Sequence, residues 1–333
     1  MKAKNSFHSS LAADLKRYIS LKQALGRNFN NASSILLKLD QFLCSLGEPS
    51  ADLTAETFKQ WAQTLESFCS NTKLAWMRLV RNFCLYRQRT APGCFVPDPT
   101  QFPQSGPTAQ PYIFSEQDVE RLLNHIHVLP NSARSPLRGS SMRLAIILLY
   151  TTGIRRGELL RLTPGDYDSS AQTLLIRASK FHKSRLLPLP GDVAAEIAQF
   201  LQLHQSLGLG AETPLLCGPY GKSDRAYSGF QLRKNLGRLL SLTEIKKADG
   251  RLPRIHDFRH SFAVNALLRW YRDGVDVQAK LPYLAAWMGH VSIFSTYHYL
   301  HFIEPLRSLA GRRFADCYSS LVRSLSEQEG GRR

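Results

Sequence analysis

The chain has 333 residues, enough for two ordinary domains, and 43% of them are hydrophobic, which excludes a disordered polymer. Its formal net charge is +17, divided as +6 over residues 1–113 and +11 over the rest, so both halves are basic. That balance points to a polyanionic partner gripped by two domains, nucleic acid before others. No run reaches the roughly 18 apolar residues of a membrane span and no apolar stretch opens the chain as a leader, so a cytoplasmic protein without a membrane partner is expected. The six cysteines form no C-x-x-C pair and read as reduced thiols rather than a zinc ribbon or redox centre.

Apolar spacing over residues 1–90 predicts four helices. Leu11, Leu15, Tyr18, Ile19 and Leu25 mark the first, ended near Gly26, and Ile35, Leu36, Leu39, Phe42 and Leu43 mark the second, ended near Gly47. Thr54 is the expected N-cap of the third, with Phe58, Trp61 and Leu65 inward. The fourth turns Trp76, Leu79, Val80, Phe83 and Tyr86 inward and sets Lys73, Arg78, Arg81, Arg87 and Arg89 on an opposite basic face that could lie on a phosphate backbone. Residues 91–113 hold six prolines and few charges, the pattern of an extended linker. Ser115 then reads as an N-cap, with Gln117 and Asp118 behind it and Val119, Leu122 and Leu123 as the apolar stripe. A buried helix follows over 142–151, then two strand-like runs, 173–178 and 185–189, joined as a hairpin, and helices from Asp192 onward.

The chemistry-bearing residues lie in the second half. His256, Arg259 and His260 form an H-x-x-R-H run, and the three-residue step from His256 to Arg259 puts both on one side of a helix. Arg155 follows Gly153, where the backbone can turn sharply at a helix end, and Glu158 is an i,i+3 neighbour able to hold it. An arginine fork binds two oxygens of a phosphodiester and stays charged as the transition state gathers negative charge. Lys180 on the hairpin could protonate a leaving sugar oxygen, with Lys183 as competitor. Tyr299 could attack the phosphorus, with Tyr297 and Tyr283 as alternatives. No clustered carboxylates suggest a two-metal centre, His298 and His301 lack partners for zinc, and neither a phosphate loop of the G-x-x-x-x-G-K type nor a nucleophile elbow occurs, so no metal or cofactor is expected.

Taken in order, these segments resemble the tyrosine recombinase (phage integrase) family over most of residues 114–310. Tyr150-Thr-Thr-Gly-Ile-Arg-Arg-Gly-Glu-Leu-Leu-Arg-Leu162 resembles the first arginine box, Lys180-Phe-His-Lys-Ser-Arg-Leu-Leu-Pro-Leu189 the hairpin lysine segment, His256-Asp-Phe-Arg-His-Ser-Phe-Ala263 the H-x-x-R box, and Met288-Gly-His290 with Tyr299 nine residues on the last histidine and nucleophile. The resemblance implies Arg155, Lys180, His256, Arg259, His290 and Tyr299 as catalytic residues, supported by Glu158, with His260 a structural neighbour. It implies a mostly α catalytic domain with a small β-sheet (α+β) over 114–333, and a helical core-binding domain over 1–90. Joined by the linker 91–113, the two would form a C-shaped clamp on DNA. It further implies a homo-oligomer, dimer to tetramer, acting through a 3′-phosphotyrosyl link and a Holliday junction, alone or with companion recombinases, on duplex DNA or a folded single strand. Residues 303–325 would form a terminal helix, packed within the chain or on a neighbouring protomer.

Two departures from the family pattern stand out. Ser179 stands where glycine often precedes the lysine, and the segment 270–281 is longer than in Xer-type members, a style closer to recombinases of transposons and other mobile elements. A type IB topoisomerase and a catalytically idle DNA-binding accessory protein are the alternatives.

Overall fold

A computed structural model describes residues 6–47, 52–107, 110–132, 135–177, 184–217 and 227–290, together with Ser292, Thr296 and Tyr299. The expected positions Lys180, Lys183, Tyr297, His298 and His301 and the terminal helix over 303–325 lie outside the described residues. The chain divides into two compact units, residues 1–109 and 110–333. No described helix is long and apolar enough to cross a membrane.

The first unit is built on α1 (Ala12–Ala24), α2 (Asn30–Ser45), α3 (Ala55–Gln63) and α4 (Ser70–Arg87). Gly26 and Gly47 take positive φ just beyond α1 and α2, where the chain must leave the helix. Thr54 caps α3 in a reciprocal box: the Thr57 amide donates to Thr54 Oγ1 at 3.2 Å and the Thr54 amide to Thr57 Oγ1 at 2.8 Å. Leu15, Leu36, Leu39, Trp61, Val80 and Phe83 form the centre of one apolar core. Leu25, expected inside, is 64% exposed because α1 has already ended.

Two expectations for this unit are corrected. The inner face of α4 runs through Leu74, Met77, Val80, Cys84 and Arg87 as well as Phe83, while Trp76, Leu79 and Tyr86 are only partly covered. The turn carries Arg87 off the basic face and into the interior, where Nε donates to Asp14 and Nη1 to Asp52, both at 2.8 Å. Arg87 is therefore a structural cation, unlike Arg78, which is exposed. Lys73 is half-buried, and Arg81 donates to the Pro97 carbonyl at 3.3 Å. The proline-rich stretch is also not an extended tether over its whole length. Phe95 and Phe102 pack against Phe58, and the Gly106 amide donates to Asn71 Oδ1 at 2.9 Å, because these aromatics have apolar surface to bury. At its other end Phe114 is fully buried in the second unit, stacked on Phe258 with centroids 4.1 Å apart.

The second unit runs α5 (Glu116–Asn124), α6 (Arg138–Thr152), α7 (Arg156–Leu159), β1 (Tyr167–Asp168), β2 (Thr173–Ile176), β3 (Arg185–Pro188), α8 (Gly191–Ser206), α9 (Gly229–Leu242), α10 (Ile255–Arg272) and α11 (Val277–Met288). Ser115 caps α5 through a second reciprocal box with Asp118. Helix α6 is apolar on nearly every side because α5, α8, α9 and α10 all pack on it. The two expected strands pair antiparallel with Leu174 opposite Leu187, and β1 adds a short third strand on the far side of β2. Two residues are too short to carry an alternating pattern, so β1 was not legible beforehand. The unit is mostly α with a small sheet, as its sequence predicts.

Candidate active site

Two helix ends build the site. Helix α6 stops at Gly153, whose φ of +63° closes the helix in the left-handed region, and an added Cβ there would run into the Phe262 ring. Buried Ile154 anchors the turn, and Arg155 follows as the N-cap of α7. Helix α11 likewise stops at Gly289, with φ of +64°, just before His290. The Trp287 indole N–H donates to the Thr152 carbonyl at 3.0 Å, which ties the two ends together.

Glu158 organises the first arginine. Its carboxylate accepts from the Arg155 amide at 2.9 Å and from Arg155 Nη1 at 2.8 Å. It also accepts a two-pronged contact from Arg185, at 3.2 and 2.9 Å. Burial alone would raise this carboxyl, but the hydrogen bonds from Arg185 and Arg155 overcome it and hold the pKa at about 2. Arg155 Nη2 then donates to the Gly289 carbonyl at 2.8 Å.

Arg259 comes from α10, whose first turn is secured by Asp257. That carboxylate is fully buried and accepts from the Arg254 amide and side chain, with Lys247 Nζ at 3.2 Å. Arg259 is 2% exposed, donating from Nη1 to the Gly153 carbonyl and from Nη2 to the Met288 carbonyl, each at 2.6 Å. Burial and then the like charge of Arg155 lower its pKa to about 10, so it remains a cation at neutral pH.

Around these arginines stand three histidines and the tyrosine. His290 Nδ1 is 2.8 Å from Thr296 Oγ1, and burial followed by the charges of Arg259, Arg155 and Arg185 pulls its pKa down to about 4. His256 keeps a solvent-exposed edge. Burial of the rest of the side chain lowers its pKa, with the charges of Arg259 and Arg254 acting in the same direction. The Tyr299 ring is 4% exposed, lies nearly parallel to His290 with centroids 6.0 Å apart, and meets His260 edge-on at 5.4 Å. Burial pushes its phenol up, while the Arg259 guanidinium opposes this by charge and hydrogen bonding. His260 meets His256 edge-on at 4.8 Å. Tyr283, the described alternative nucleophile, is 69% exposed beneath Lys280 and points elsewhere.

The fold thus brings Arg155, Glu158, His256, Arg259, His290 and Tyr299 together. Sequence reasoning passed over Arg185 and Thr296. One signal for Arg185 was available: β3 alternates inward at 185, 187 and 189, so an arginine occupies an inward position of an otherwise apolar face. Thr296 carries no such mark. Beside Arg155 and His256 a groove of about 720 Å³ is lined by Arg156, Arg233 and Arg254. Among the described residues no three His, Cys, Asp or Glu side chains converge as metal ligands.

Residues 113–304 match the phage integrase family. The protein y4rB of Sinorhizobium fredii, named as an integrase/recombinase, is 30% identical over 308 residues, spanning 92% of this chain and 97% of its own. Tyrosine recombinase XerD of Bradyrhizobium diazoefficiens is 27% identical over 285 residues, covering 82% and 86%. Among solved structures, XerH recombinase bound to its palindromic difH substrate after cleavage superposes with a TM-score of 0.62 at 20% identity, over 93% of this chain and 84% of that one. The Tn1549 transposon integrase with circular-intermediate DNA gives 0.59 at 16% identity, over 86% and 94%. The chain belongs to the phage integrase family and is a tyrosine-type DNA strand transferase.

Proposed function

We propose that this chain is a site-specific recombinase of a mobile element, with Tyr299 as its nucleophile. The scissile phosphate sits against Arg155 and Arg259, whose charge stabilises the negative charge that develops on the non-bridging oxygens. His290 and His256 complete the cradle. Neutral imidazole at His290 lets it act as an acceptor beside the phenol at ordinary pH. The Tyr299 oxygen bonds to phosphorus as the bond to the 5′ oxygen breaks. The phenol proton leaves to a neighbouring base, and Lys180 supplies a proton to the departing 5′ oxygen. The 3′-phosphotyrosyl link conserves the energy of the broken diester, so a second 5′ hydroxyl can reverse the step without a nucleotide cofactor.

The observation that carries this reading is the convergence of Arg155, Arg259, His290 and Tyr299 from four separate segments onto the two helix ends. The +6 and +11 halves suit duplex DNA held by both units, with Arg78 and the groove at Arg233 as contacts. Strand exchange between two sites calls for a homo-oligomer, two to four copies on two duplexes, and its proposed place of action is the cytoplasm. The likeness to y4rB suits an integrase/recombinase, and the fold likeness to the Tn1549 transposon integrase suits the mobile-element role. A duplex nicked next to the cleavage position should trap a covalent protein–DNA adduct with the native chain and none with Tyr299→Phe. An adduct that survives in Tyr299→Phe would mean that another residue attacks.

A further inference from the structure

Three arginines donate to three consecutive carbonyls at the C-terminal end of α11. Arg185 Nε reaches the Trp287 oxygen at 2.6 Å, Arg259 Nη2 the Met288 oxygen at 2.6 Å, and Arg155 Nη2 the Gly289 oxygen at 2.8 Å. The last carbonyls of a helix have no partner within it and carry the negative end of its dipole, so this end is a natural seat for cations. Two of the three belong to the proposed phosphate cradle. The third differs. Arg185 is half-sequestered, and its remaining fork closes on Glu158 through Nη1 and Nη2, so its polar face is taken up by protein. Its Nη1 lies 2.9 Å from where a Cβ on Gly289 would sit, a closeness that only glycine at that position permits.

We propose that Arg185 is a positioning residue for the strand-transfer reaction. It joins the Glu158 carboxylate to the end of α11, and so aims Arg155 and His290 without touching the phosphate itself. The inference rests on the active-site reading above. Arg185 is also the first residue of β3, paired with Ile176 of β2, so the same side chain fastens the sheet to Glu158 of α7 and to the end of α11. A lysine could neutralise Glu158 but could not span Glu158 and Trp287 at once.

The full chain carrying Arg185→Gln, Arg185→Lys, Glu158→Gln, or Arg185→Gln with Glu158→Gln is compared with the native chain on the nicked duplex. At saturating DNA, Arg185→Gln and Arg185→Lys should each slow adduct formation by about 10- to 100-fold, the range expected when a charged hydrogen-bonding partner is lost. The double variant should be no slower than the slower single, because both act through one contact. Affinity for DNA and its salt slope should stay native. The His290 titration, followed by NMR in free protein, should move to higher pH in Arg185→Gln, since one of the charges keeping that imidazole neutral is gone. A native rate in Arg185→Lys, multiplying losses in the double variant, a shallower salt slope, or an unmoved His290 titration overturns the proposal. Absence of an adduct with the native chain would sink the active-site reading alone, because the His290 titration needs no cleavage.

Discussion

Arg259 donates from Nη2 to the carbonyl of Met288, 2.6 Å away and 29 residues further along the chain, while Nη1 holds the Gly153 carbonyl. One buried guanidinium thereby staples the end of α6 to the end of α11. Lysine keeps the charge but has a single point of contact. Arg259→Lys should lower stability by about 1–3 kcal/mol, the cost of leaving a buried carbonyl unbonded. It should slow adduct formation by about 100-fold or more, as removal of one preorganised donor does. Urea unfolding and single-turnover cleavage at saturating DNA measure the two effects, and a native cleavage rate would remove Arg259 from the phosphate cradle.

The pH behaviour of His290 follows from its surroundings. Its folded pKa of about 4 lies below the ordinary histidine value near 6.5. Between those values the unfolded chain binds the proton and the folded one does not, so the group's contribution to stability is intact above about pH 6.5. It is lost progressively as pH falls toward 4. His256 shifts in the same direction. In the free protein the His290 ring signal should stay constant from about pH 8 to pH 5.5. A midpoint near the ordinary value would show that neither burial nor the surrounding arginines act on it.

The two arginines Arg87 and Arg78, nine residues apart on α4, should separate cleanly. Arg87→Ala removes the buried partner of Asp14 and Asp52 but leaves Asp14 its exposed pair with Arg17, and should cost on the order of 2 kcal/mol, less than the 3–5 of a fully buried pair because Asp52 is half exposed. Arg78→Ala should leave stability unchanged and weaken DNA binding evenly across sequences, with the salt slope reduced by about 1. Equal stability losses in the two variants would contradict the burial assigned to Arg87.

Gly153 and Gly157 form a matched pair four residues apart. At Gly153 alanine would need a left-handed backbone and would meet the Phe262 ring, so the variant should lose about 2 kcal/mol or more and displace Arg155 with it. At Gly157 an added Cβ meets only the flexible end of Arg161, 3.3 Å away, so alanine inside α7 should be neutral or mildly stabilising. Hydrogen exchange of the α6 amides reports both. Unchanged protection in Gly153→Ala would show that the helix can close without glycine.

Much of the molecule was legible because the signals are local. Thr54 with Thr57 and Ser115 with Asp118 each satisfy a helix start within three residues. Gly153 ends α6 beside the arginine it presents, and Glu158 lies one helical turn from Arg155. The order and spacing of the arginine, histidine and tyrosine segments carried the family resemblance, since each segment is a run of a few neighbours. The α6 pattern was equally plain, being apolar from Leu144 through Leu149.

What the sequence by itself determined is most of the helices, the two longer strands and several helix caps, and it set the candidate reacting groups in a few local segments. Only the tertiary structure decided where side chains of mixed character go. Arg87 looked like its basic neighbours until partners 73 and 35 residues away drew it inward. Phe95 and Phe102 turned a nominal linker into part of the first unit. Arg185 gained its place because Glu158 and the end of α11 meet there. A charge or an aromatic ring settles where long-range contacts satisfy it, and those contacts exist only once distant segments have packed together.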